Sequence, residues 1–113
     1  MKVHKVFNGI DRPDLMDAVI SKRARVGLAA GGAAVDRLMR PAVDMLHERF
    51  NVTALYNMIY GIRGEYIYSE RVPQYTDSVT GLPVYSIFNR DGLVPSRRML
   101  ADIDIVVFDA REA

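Results

Sequence analysis

Apolar residues recur along this chain with two different periods. Leu15, Met16, Val19 and Ile20 fall at helical spacing. Ahead of them, Asp11-Arg12-Pro13-Asp14 reads as a helix start, with Asp11 as cap, Pro13 in the first turn and Asp14 against the positive helix end. Lys22 and Arg23 suit the opposite end, so the pattern predicts a helix over about residues 12–22. A second helix begins at Arg40-Pro41, with Ala42, Val43, Met45, Leu46 and Phe50 inward and Asp44, Glu48 and Arg49 outward. His47 reads as a partly exposed residue of that helix rather than a ligand.

The shorter apolar runs predict strands. Arg25-Val26-Gly27-Leu28-Ala29-Ala30 runs into Gly31-Gly32, as a buried parallel strand runs into a loop. Asn51 to Tyr56 is the second strand and Pro83 to Phe88 the third. Pro95 to Leu100 reads as a short helix. Ile103 to Asp109 is the strongest strand, and its β-branched run predicts a sheet covered on both faces. Helix, strand, helix, strand, loop, strand, short helix and strand in that order predict an α/β domain, three layers deep, with a mostly parallel sheet of about four strands.

Neither period persists from Asn57 to Pro83. Unstructured loops beyond ~15 residues are uncommon in compact domains unless they bind something or are disordered. All six tyrosines lie between Tyr56 and Tyr85, which makes this segment the first place to look for a site. Glu65 to Glu70 alternates briefly, as a small extended arm would, and Asp77 to Pro83 is dense in turn formers.

Composition narrows the function classes. The 113 residues suit one domain spanning 1–113. A net charge of +1 provides no electrostatic case for nucleic acid or an anionic membrane. Absence of cysteine excludes disulfides, thiol catalysis and Cys-ligated zinc, and the two histidines, His4 and His47, are far apart in sequence. No metal and no cofactor are expected. Gly27, Gly31 and Gly32 lack both the G-x-G-x-x-G spacing and a P-loop lysine, so they read as a tight turn and close packing. No apolar run follows the basic N-terminus, and no stretch nears the ~20 apolar residues of a membrane span. The sequence as given is expected to be cytoplasmic, or else the processed product of an exported precursor.

Gly61-Ile62-Arg63-Gly64-Glu65, then Asp77 to Ser86, then Val106-Val107-Phe108-Asp109 together resemble the N-terminal, Rossmann-like domain of the DUF1343 family. Val26-Gly27-Leu28 and Val35-Asp36 fit the same domain, so the resemblance covers roughly residues 12 to 112. It implies kinship with exo-β-N-acetylmuramidases, which release N-acetylmuramic acid from the non-reducing end of peptidoglycan fragments. A muramyl sugar or peptidoglycan fragment is the implied partner. The family carries Pro-Glu-His where this chain has Met58-Ile59-Tyr60, so the leading candidate for the catalytic carboxyl is replaced by isoleucine. Ala30 to Ala34 stands where the family has a hydroxyl- and amide-bearing loop. The family continues past the last strand into a second domain, which makes this chain a shortened relative.

Glycoside hydrolysis normally needs two carboxyl groups. Glu65, Glu70 and Asp109 are the candidates, although each also suits a solvated or salt-bridged role. Ile59 cannot transfer a proton, and Tyr60 is a poor acid near neutral pH. The expected substrate-binding set is Tyr60, Gly61, Arg63, Gly64 and Glu65. Tyr60, Tyr66, Tyr68 and Tyr75 either pack on sugar C–H faces or pack the long loop onto the sheet. Arg63 either holds a carboxylate such as the lactyl group of muramic acid or anchors the loop to Asp109 or Glu65. Three functions are weighed: a non-hydrolytic relative retaining cell-wall sugar binding; an active glycosidase using Glu65, Glu70 or a partner chain; and a structural or interaction module. A shortened parallel sheet exposes an edge or an apolar face, and self-association to a homo-oligomer would cover it.

Overall fold

The computed structural model describes residues 4–66, 72–87 and 94–111. Five strands form one sheet in the order β3-β4-β2-β1-β5. They are β1 (Arg25–Ala30), β2 (Asn51–Asn57), β3 (Tyr75–Thr76), β4 (Pro83–Ser86) and β5 (Ile105–Asp109). All pairings are parallel except that of β3 with β4. Helices α1 (Pro13–Val19), α2 (Ala42–Arg49) and α3 (Arg97–Leu100) complete the domain. The two-residue β3 lies inside the segment where the sequence shows no period, and it raises the expected four strands to five.

The central strands carry the core because their runs are apolar on both faces. On one face Val26, Leu28, Val52 and Leu55 pack with Val43 and Leu46 of α2, Ile20 and Phe50. On the other, Ala29, Ala54 and Tyr56 pack with Tyr85, Met99 and Ile103. Gly27 permits this second layer: a Cβ there would lie 2.7 Å from the Tyr56 ring and 3.0 Å from Ile103. A register shift between Val26 and Gly27 leaves Thr53 out of the β1–β2 pairing, and its hydroxyl donates instead to the Asp102 carbonyl at 2.7 Å.

Several local expectations need correction. The first helix ends at Val19, because Ile20 turns extended and enters the core. Lys22 consequently leaves the helix; it reaches Asp17 and the Arg49 carbonyl at the end of α2, with its ammonium over the Phe50 ring. Asp11 does not cap α1. It closes a preceding 3-10 turn at Gly9–Asp11 and accepts from the Arg37 backbone, while Pro13 and Asp14 hold the places expected of them. The apolar stripe of α1 is only half used, since Leu15 and Val19 are exposed. β5 is an edge strand, not a covered one: Val106 and Phe108 are 52% and 66% exposed. The third strand stops at Ser86, and Phe88 lies outside the described residues.

Candidate functional site

The parallel strands β1, β2 and β5 end side by side at Ala30, Asn57 and Asp109. Open α/β sheets bind ligands beyond such strand ends, where connections leave in opposite directions. Here β1 feeds toward β2 on one side while β5 lies on the other. A pocket of about 360 Å³ opens there, lined by Gly31, Gly32 and Ala33 after β1, Met58, Ile59 and Tyr60 after β2, Gly64 and Tyr66, and Ala110 and Arg111 after β5.

The turn after β2 is built on Asn57. This residue is fully buried, and its side-chain oxygen accepts from the Gly61 backbone at 2.6 Å. Gly61 and Gly64 adopt φ values of +89° and +74°, which side-chain-bearing residues rarely tolerate. The turn then lies directly on the loop after β1. A Cβ on Gly32 would sit 2.8 Å from both N and Cα of Gly64. The absence of a side chain at Gly32 is therefore what allows the two loops to form one wall.

Glu65 serves this turn. One carboxylate oxygen accepts from the Arg63 backbone N–H at 2.8 Å, and the other accepts from the Tyr75 hydroxyl at 2.6 Å. Tyr75 also accepts from the Ile62 backbone at 2.9 Å. Burial first, and then its bond to the Glu65 carboxylate, push the Tyr75 phenol well above its ordinary pKa. Its ring meets that of Tyr66, with centroids 5.2 Å apart.

The Arg63 side chain runs to two carboxylates and does not line the pocket. Its Nε and Nη2 donate to Asp77 at 2.7 and 3.0 Å, while Nη1 and Nη2 donate to Asp44 of α2 at 3.0 and 2.7 Å. Asp77 has only 2% of its side chain exposed and also accepts from the Thr80 backbone and hydroxyl. The guanidinium holds the Asp77 carboxyl far below its ordinary range, and Asp77, then Asp44, raise the arginine's own pKa further. Arg63 thus anchors the loop, as one reading of the sequence has it, but to Asp44 and Asp77 rather than to Asp109 or through its side chain to Glu65.

The expected site residues are only partly brought together. Tyr60 and Gly64 line the pocket, and Gly61 shapes the turn beneath it. Glu65 and Arg63 are engaged in holding that turn. Asp109 pairs with Arg111 through bonds of 3.1 and 3.3 Å. It lines a separate groove between β5 and α1, with Ile10, Leu15, Val19 and Val107 among its neighbours. Glu70 and Tyr68 lie outside the described residues. Among the described residues, no group of three His, Cys, Asp or Glu is placed to hold a metal ion.

Sequence reasoning misses Asn57, Asp44, Asp77 and Arg111. Asn57 and Arg111 had an available signal, since each lies at or just past the C-terminal end of a strand, where ligand groups gather.

Residues 26–113 match the family model described as exo-beta-N-acetylmuramidase NamZ, N-terminal. Peptidoglycan beta-N-acetylmuramidase NamZ of Bacillus subtilis (strain 168) is 35% identical over 115 residues, an alignment covering 98% of this chain and 27% of that protein. A crystal structure of a DUF1343 family protein from Bacteroides fragilis superposes with a TM-score of 0.77 at 33% identity, covering 94% of this chain and 26% of the other. A second Bacteroides fragilis member has the same fold, with a TM-score of 0.71 at 22% identity, covering 96% and 26%. The chain spans about a quarter of the length of these relatives.

Proposed function

The chain belongs to the family of exo-β-N-acetylmuramidase NamZ N-terminal domains, and on that premise we propose that it is a divergent member that binds a cell-wall muramyl sugar without hydrolysing it by itself. One observation carries the reading. Met58, Ile59 and Tyr60 form the pocket wall where the family resemblance leads one to expect a catalytic glutamate, and no lining residue among those described bears a carboxyl group. Hydrolysis through two carboxyl groups has no acid there to protonate the leaving oxygen.

Binding retains physical support. The wall presents Tyr60 and Tyr66 beside Met58, Ile59 and Ala33. Aromatic rings pack against the apolar faces of sugars while their hydroxyls stay hydrogen-bonded. The volume is within the ~300–1,000 Å³ usual for small-ligand pockets.

NMR titration with N-acetylmuramic acid, alongside incubation with a chromogenic β-muramide, tests the proposal. Expected are saturable shifts at Ala33, Tyr60, Tyr66 and Ala110, with no release of the chromophore at high protein concentration. Turnover that is lost on Glu65→Gln or Glu70→Gln would instead establish the active glycosidase. Absence of shifts in the pocket would leave a structural or interaction module.

A further inference from the structure

We propose that the outer edge of β5, with the exposed side of α1 beside it, is a dimer interface: a second copy of this chain docks there by antiparallel β5–β5 pairing about a two-fold axis beside Val107. Docking on this face does not depend on sugar binding in the pocket beyond the strand ends.

β5 pairs with β1 on one side, and no strand among the described residues pairs with its other side. Such an edge offers a row of backbone N–H and C=O groups to another strand, and proteins commonly block it with lysine, proline or a bulge. Ile105–Asp109 contains no lysine or proline, and its pairing with β1 runs without a register shift. Apolar side chains are instead left open on both faces beside the edge. Ile105 and Val107 pack on the side of α1 and α2, so Val106 and Phe108 turn to the opposite side, where both are exposed. Next to Val107 a groove of about 400 Å³ runs between β5 and α1. Leu15 and Val19, four residues apart on one side of α1, line it and are 53% and 81% exposed.

The strand is complementary to itself. With the axis beside Val107, the two Val107 residues face each other and Val106 of each copy stands opposite Phe108 of the other. Opposed β-branched and aromatic pairs of this kind stabilise antiparallel sheets. A two-fold axis normal to the joined sheet also leaves both α1 helices on the same face, with Leu15 and Val19 beside the seam. The ends raise no electrostatic barrier. Asp104 is paired with Arg25 and Asp109 with Arg111, so no bare like charges approach one another. The antiparallel order sets the acidic start of one strand, Asp104, beside the basic residue after the end of the other, Arg111. Leu15, Val19, Val106 and Phe108 together expose roughly 450 Å² per copy, over half of the ~800 Å² that each partner of a standard interface buries. The edge backbone and Val107 add to this. A two-fold contact uses the same patch on both copies, so association closes at the dimer.

Size-exclusion chromatography with light scattering on the full chain, from micromolar to millimolar concentration, provides the test. The expected species has twice the 12.7 kDa chain mass. Phe108→Lys charges the edge and is expected to weaken association at least about tenfold. Val79→Lys, at a comparably exposed valine between β3 and β4, should leave the dimer intact. The chain lacks cysteine, so Val107→Cys introduces one thiol per copy, and a short bis-maleimide should join two copies through it. A monomer throughout the concentration range, as expected if another polypeptide or nothing covers this face, would overturn the proposal. Assembly beyond two copies, a dimer that survives Phe108→Lys, or one that is not joined through Val107→Cys would overturn it as well. The cross-link reports on the register even if Phe108→Lys folds poorly.

Discussion

Gly32 and Gly64 meet backbone to backbone, and this contact joins the loop after β1 to the turn after β2. A Cβ on Gly32 would come within 2.8 Å of Gly64 N and Cα, whereas one on Gly31 would meet nothing within 4 Å. Backbone cannot rotate aside as a side chain can. Gly32→Ala is therefore expected to cost about 1–3 kcal/mol through overpacking, with Gly31→Ala much closer to the unaltered protein. Urea denaturation checks this through a lower midpoint at unchanged slope. Matching midpoints for the two variants would mean that the loops are not in contact.

Arg63 with Asp77 is the second joint of the site. Removing one partner of such a buried, doubly bonded pair typically costs about 3–5 kcal/mol, because the other charge stays desolvated. Asp77→Asn should cost less than that at neutral pH, because Arg63 keeps its bonds to Asp44. The acid dependence follows from the same pair. The folded carboxyl of Asp77 is lowered by Arg63, so below its unfolded pKa of about 3.9 the unfolded state binds more protons. This stabilisation is present above about pH 4 and is lost as pH falls toward the lower folded value. Asp77→Asn should flatten that acid limb, and stabilities of the two proteins should converge on acidification. Parallel curves down to the lowest pH reached would refute the coupling.

At the alkaline end the tyrosines set the direction. Tyr56 is buried between the sheet and α3, and its hydroxyl donates to the Met99 carbonyl. Burial, with smaller contributions from Tyr85 and Asp102, pushes its pKa up to about 12. Between the ordinary value near 10 and this folded value, the native state binds more protons than the unfolded one. Stability must then fall as pH rises through that window. Ultraviolet titration of phenolate should show Tyr56 ionising late, together with loss of structure. Tyr56→Phe should remove one of two late-ionising phenols, Tyr75 being the other, and lower stability at neutral pH by about 0.5–1.5 kcal/mol.

These joints mark where the sequence stops being informative. β1 and β2 are legible because a central parallel strand needs an uninterrupted apolar run. Ile105 to Phe108 has the same appearance, yet it forms an edge, because exposure of Val106 and Phe108 depends on strand order, which no local pattern encodes. The turn from Gly61 to Glu65 can be read from its glycines. The destination of Arg63 cannot, since its partners lie 14 and 19 residues away on a later turn and an earlier helix. Asp77 shows the same limit: its turn with Thr80 is visible in the string of turn formers, but its buried ion pair is not.

Glu65 illustrates how a candidate acid acquires another role, and it yields the last prediction. Its two oxygens are taken by the Arg63 N–H and the Tyr75 hydroxyl, and the latter also receives the Ile62 N–H. Glu65 is exposed, so solvent weakens each bond, but the three groups form one small network. Glu65→Ala and Tyr75→Phe should each reduce stability by about 1 kcal/mol. Because both changes break the same bond, the double variant should lose less than the sum, with a coupling of at least about 0.5 kcal/mol. Additive losses in a double-mutant cycle would mean that Glu65 does not hold the turn through Tyr75. Its carboxylate would then be available for chemistry, and the case against hydrolysis would rest on Ile59 alone.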